Sequence, residues 1–103
     1  MLDLAPYRPH LSAFARRWRV VEVELFGSAL RDDFGPESDV DVLLTFEADA
    51  RWSLFDLVDM KAELEAVFGR SVDVTTRAAV ERSANWVRRE SILSSARAVD
   101  AQS

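Results

Sequence analysis

F-G-S-A-L-R-D-D-F-G-P-E-S-D-V-D-V-L-L, from Phe26 to Leu44, separates a Gly-Ser pair from an Asp-x-Asp by ten residues and then runs on into apolar sequence. The residues before it, V-V-E-V-E-L-F, alternate Val21, Val23 and Leu25 with Glu22 and Glu24. That is the period of a strand with one covered face, and Gly27 ends it. After the turn residues Gly35, Pro36 and Ser38, D-V-D-V-L-L-T-F reads as a second strand. Val40, Val42, Leu44 and Phe46 share one face of it, which places Asp39 and Asp41 together on the other. A loop joins the two strands.

Working outward, Pro9 can open a helix that Leu11, Phe14, Ala15 and Trp18 continue at helical spacing, predicting a helix from Pro9 to Trp18. Ser53 with Asp56 forms a capping-box pattern. Leu54, Leu57, Val58, Leu64 and Phe68 then follow at helical spacing as far as the stop at Gly69, a helix of about fifteen residues. S-V-D-V-T, residues 71–75, predicts a third short strand whose Asp73 faces away from Val72 and Val74. Thr76 can cap a last helical region through Val80, Val87, Ile92 and Leu93, broken near Asn85, and residues 97–100 can add a short edge strand. This order predicts an α/β or α+β domain, helices against a small mixed sheet. With no repeat, low-complexity tract or linker, residues 1–103 read as one domain.

Apolar residues at 49% and charged residues at 30% are those of an ordinary globular chain. No apolar run has the roughly 18 residues that cross a bilayer, and the N-terminus lacks the pattern of a secretory signal, so the expected location is the cytoplasm with no membrane contact. The absence of cysteine excludes disulfides, thiolate metal sites and thiol nucleophiles, and a single histidine, His10, excludes a His cluster. A net charge of −5 disfavours nucleic acid as the primary partner. Twelve arginines stand against the single lysine, Lys61. Compositional bias explains most of them, and bidentate contact with phosphate or carboxylate is the other reading.

Residues two apart on a strand have Cα atoms about 6.5 Å apart on one face. Asp39 and Asp41 can therefore converge on a hard divalent cation such as Mg²⁺, and Asp73 on a neighbouring strand offers a third carboxylate. Such a set can hold two cations about 3.5–4 Å apart, the arrangement of phosphoryl transfer. Gly27 and Ser28 fit the same account, since a strand end turning into a helix presents N–H groups to a phosphate. Each feature also has a plainer reading. The Asp pair can be a solvated strand face, Ser28 a helical-turn cap, Arg31 a partner of Asp32 or Asp33, and Asp73 an exposed strand residue. Trp18, Trp52 and Trp86 read as core or interface anchors. The EF-hand pattern fails from every aspartate in the segment, and a P-loop fails for want of Gly-Lys-Ser/Thr.

Taken together, Gly27-Ser28, ten residues, then Asp39-x-Asp41 and an apolar strand resemble the signature of the DNA polymerase beta-like nucleotidyltransferase superfamily. The chain looks closest to the minimal nucleotidyltransferases, the MNT antitoxins of HEPN/MNT pairs. The likeness extends to the aspartate of V-D-V and a terminal I-L-x-x-A segment. Leu30 stands where that pattern has Ala and Asp32 where it has Gly.

The resemblance implies the polymerase beta-like fold and a set of roles. Gly27 and Ser28 would contact nucleotide phosphates, with Arg31 positioning the loop. Asp39 and Asp41 would bind Mg²⁺, and Asp73 would complete the metal site or assist the base. It further implies transfer of AMP from ATP to a tyrosine hydroxyl of a HEPN ribonuclease toxin, neutralising it. The short chain fits that expectation, because the partner would present the acceptor. Two alternatives stay open: a nucleotide-binding antitoxin that neutralises by contact alone, and a free-standing transferase for a small molecule or RNA end.

Overall fold

The computed structural model describes residues 4–27, 35 and 38–99. After a 3₁₀ turn at Ala5–Tyr7 come α1 (Arg8–Trp18), β1 (Val20–Phe26), β2 (Val40–Phe46), α2 (Leu54–Phe68), β3 (Val72–Thr76), α3 (Arg77–Glu81), α4 (Trp86–Ser95) and β4 (Arg97–Val99). The strands form one mixed sheet in the order β3-β2-β1-β4. β1 is antiparallel to both β2 and β4, and β2 is parallel to β3 through the α2 crossover. The α/β class, the mixed sheet and the short edge strand at Arg97 are as the sequence predicts, with Asp100 outside the described residues.

The helix signals act as read. Ser53 Oγ accepts from the Asp56 N–H while the Asp56 carboxylate accepts from the Ser53 N–H, and Gly69 closes α2 at φ +69°. Thr76 caps α3, and Asn85 caps α4 across the expected break. α1 has no glycine stop. It ends instead on Arg19 at φ +57°, a left-handed residue held by its guanidinium on Glu47 at 2.9 Å and Asp49 at 2.6 Å. Trp52 Nε1 donates to the Trp18 carbonyl, and the two indoles meet edge to face at 5.2 Å, the anchoring role expected of that pair.

One face of the sheet packs on α1 and α2 through Phe14, Val23, Leu25, Val42, Leu44, Met60 and Leu64. The other face differs from the sequence expectation. Leu43 and Phe26 are buried there under Val80 of α3 and Ile92 of α4, so β2 is covered on both sides beyond Asp41. That accounts for the unbroken V-L-L run of a central strand. Two further expectations are corrected. An irregular register between Val20 and Glu22 turns Val20 inward and leaves Val21 53% exposed. On α2 the buried stripe is Met60, Leu64 and Phe68, while Leu54 and Val58 face outward.

Candidate active site

Gly27 follows β1 at φ +64°, in the left-handed region. Phe26 is the register partner of Asp41, which brings the turn against that aspartate. A Cβ added to Gly27 would stand 2.4 Å from Asp41 Oδ2 and 3.3 Å from its Cγ. Glycine is thus required for two reasons, backbone angle and the space over a carboxylate oxygen.

Asp41 is in turn the register partner of Asp73 on β3. Parallel neighbours lie about 4.8 Å apart, so the two aspartates stand side by side on one sheet face. Val40 and Val72 are fully buried on the opposite face, which fixes this phase. Asp39 sits exposed just before β2, two residues from Asp41. Among the described residues no group of three or more His, Cys, Asp or Glu side chains is gathered as around an ion. What the backbone brings together is Asp41 with Asp73, and Asp41 with Gly27. Ser28 and Arg31 lie outside the described residues.

Several supporting residues carry no sequence motif. β3 is an edge strand, yet its first residue has both outward backbone groups satisfied. Lys61 Nζ donates to the Val72 carbonyl at 2.5 Å, and the Val72 N–H donates to Glu65 Oε2 at 3.2 Å. Lys61 and Glu65 are also paired with each other at 3.1 Å, and that pairing, with the Val72 N–H, holds the Glu65 carboxyl below its usual range. The strand start next to Asp73 is therefore clamped to α2. The Val40 N–H donates to the Ser71 carbonyl, and Arg70 Nη1 donates to the Gly35 carbonyl at 2.8 Å, tying the chain entering β2 to the same corner. On the site face, buried Glu24 accepts from Arg77 Nη2 at 2.5 Å, and Arg77 Nε donates to Thr45. The hydrogen bond to Glu24 is the main cause raising the Arg77 pKa. The only sequence signal for these residues is charge on an otherwise covered strand or helix face.

Carboxylate oxygens are the donors a hard divalent ion takes, and the missing Cβ at Gly27 leaves room for the Asp41 carboxylate to pack against the turn. The donor type is the one Mg²⁺ takes, and Asp41 with Asp73 are the two carboxylates that the sheet places side by side.

A candidate protein adenylyltransferase of Methanocaldococcus jannaschii is 44% identical over 57 residues, which is 55% of this chain and 59%, under two thirds, of that protein's length. Protein adenylyltransferase MntA of Thermococcus cleftensis is 32% identical over 72 residues, covering 70% of this chain and 71% of that one. Among solved structures, a candidate minimal nucleotidyltransferase at 29% identity superposes with TM-score 0.68 over 89% of this chain and 88% of that chain. A toxin-antitoxin structure with AMP-PNP at 17% identity shares the fold, with TM-score 0.67 over 88% of this chain and 70% of that chain. The family model for the nucleotidyltransferase domain matches residues 8–99, from the start of α1 to the end of β4, and this chain belongs to that family.

Proposed function

We propose that this chain is a Mg²⁺-dependent nucleotidyltransferase antitoxin that transfers AMP from ATP to a tyrosine hydroxyl of a partner HEPN ribonuclease toxin. The observation that carries the reading is the juxtaposition of Gly27, at the end of β1, with Asp41 on β2 and of Asp41 with its register partner Asp73 on β3, a left-handed glycine turn packed against one of two in-register carboxylates. The relatives named protein adenylyltransferase support the group transferred and a protein acceptor. The toxin-antitoxin structures of the same fold, one with AMP-PNP, support the nucleotide and the kind of partner. No helix among the described residues is long and apolar enough to cross a membrane.

In this reading Asp39, Asp41 and Asp73 hold Mg²⁺, which when bound offsets negative charge on the phosphates. Gly27 and Ser28 receive the phosphates at the end of β1, and Arg31 positions that loop. The acceptor oxygen attacks the α-phosphorus, the bond to the β-phosphate oxygen breaks, and pyrophosphate leaves. The hydroxyl proton passes to the carboxylate at Asp73, the site group nearest the open sheet edge. The chain's contribution is chiefly positioning, which is worth several powers of ten in such reactions.

The test is intact-mass spectrometry of the toxin after incubation with Mg²⁺-ATP. Wild type should add one adenylyl mass per transfer, and the Asp39→Ala/Asp41→Ala double variant should add none. An unmodified toxin silenced equally by both proteins would instead establish neutralisation by contact.

A further inference from the structure

The chain spends most of its arginines on itself. Arg17, Arg19 and Arg77 pair with carboxylates, and Arg16 and Arg70 with a hydroxyl and backbone carbonyls. Arg82, Arg88 and Arg89 differ. Among the described residues their guanidinium groups have no hydrogen-bond or ion-pair partner, and all three fall at the corner between α3 and α4. Arg88 and Arg89 line a cavity of about 120 Å³ with Thr75 and Ser83, over Val80 and Ile92. Trp86 and Val87, which precede these arginines at the start of α4, are 64% and 61% exposed.

The cavity has a defined place relative to the candidate site. Thr75 is two residues beyond Asp73 on β3 and on the same sheet face, about 6.5 Å along the strand. Gly27 is on the other side, beyond β2. The glycine turn and the arginine pocket thus flank the carboxylates from opposite sides.

In a chain of net charge −5, an acidic partner meets repulsion over most of the surface, and this corner, although Glu81 and Glu90 adjoin it, offers three arginines whose charge no carboxylate of the described residues pairs. An exposed Trp on the same helix turn as arginines is also the composition that concentrates energy in protein interfaces. We propose that the α3–α4 corner docks the protein acceptor by a carboxylate-bearing segment. Arg88 and Arg89 pair with its carboxylates, Trp86 and Val87 cover its apolar part, and the acceptor hydroxyl is thereby delivered to the edge at Asp73. The acceptor role rests on the adenylyl-transfer reading above, whereas the docking surface itself does not.

The experiment titrates the isotope-labelled full chain, without nucleotide, with the pentapeptides Glu-Glu-Tyr-Glu-Glu and Lys-Lys-Tyr-Lys-Lys, following backbone amide and Trp86 indole resonances. The acidic peptide should shift residues 82–89 and the indole, and the basic one should not. Arg88→Ala/Arg89→Ala should weaken binding at least about tenfold, while Arg88→Lys/Arg89→Lys keeps most of it. Equal response to both peptides, shifts confined elsewhere, or undiminished affinity in the alanine variant would overturn the proposal. So would displacement of the acidic peptide by pyrophosphate, which would give the pair to the nucleotide, or by oligouridylate, which would give it to RNA. A parallel ATP titration separates the two readings: wild type that ignores Mg²⁺-ATP but binds the acidic peptide defeats adenylyl transfer and leaves the docking surface standing.

Discussion

Gly27 and Asp41 are in a contact that only glycine at position 27 permits, since a Cβ there would fall 2.4 Å from the aspartate's Oδ2. Gly27→Ala should therefore disturb the carboxylate as well as strain the turn. The expected result is loss of Mg²⁺-ATP affinity by calorimetry together with about 1–2 kcal/mol of stability, the usual cost of a left-handed residue with a side chain. Gly69 is the matched control, because its φ is +69° but nothing lies within 4 Å of an added Cβ. Gly69→Ala should lose similar stability in urea and keep its nucleotide affinity.

The carboxylates should differ from their surroundings in what they control. Asp39→Ala and Asp41→Ala should each abolish detectable Mg²⁺-ATP binding with circular dichroism unchanged, because the ion's octahedral demand leaves little tolerance for a missing oxygen. Retained affinity in both variants would remove the metal assignment.

Arg77 and Glu24 test the covered face. Glu24 is 8% exposed at its side chain and Arg77 30%, so Arg77→Ala leaves a nearly buried carboxylate without its strongest partner. The expected loss is about 2 kcal/mol in urea unfolding. The double change Arg77→Met/Glu24→Leu should recover most of it. If the double variant is as unstable as the single, the pair contributes through packing and not through charge.

Acid should loosen the β3 edge. The Lys61 ammonium, followed by the Val72 N–H, holds the folded-state Glu65 carboxyl below its ordinary 4.5, so its contribution is present above that value and is lost as pH falls through the lowered one. Urea midpoints measured downward from pH 6 should therefore fall, and Glu65→Gln should flatten that dependence. Equal slopes in the two proteins would assign the acid sensitivity elsewhere, with Asp49, also lowered by Arg19, the next group to change.

How much of this was legible in sequence follows from the range of each interaction. Caps and stops are local, so Ser53 with Asp56, Gly69 and Thr76 could be read directly, whereas Asn85 reads in the sequence only as a break in the last helical region and is a cap in the structure. The Asp41–Asp73 pairing was half legible, because alternation gives each side chain's face but not which strand lies next to which. The contacts of Lys61, Arg70 and Arg77 were not legible, as they join residues brought close only by the finished sheet. The inward turn of Val20 depends on an irregular pairing with β2, which periodicity within one strand does not reveal. The burial of Leu43 under Val80 and Ile92 was not legible, because α3 is too short for its apolar stripe to announce what it covers.

The in-phase pairing of β2 with β3 also makes the site a report on correct assembly. If β3 slipped by one residue, Asp73 would be driven into the core and Val72, now fully buried, would be turned out to water. A chain folded in that register would keep its strands and most of its helices but would lack a second carboxylate beside Asp41. Ion binding would therefore select against the misaligned form, so that the ligand of the finished protein would act as a proofreader of its folding.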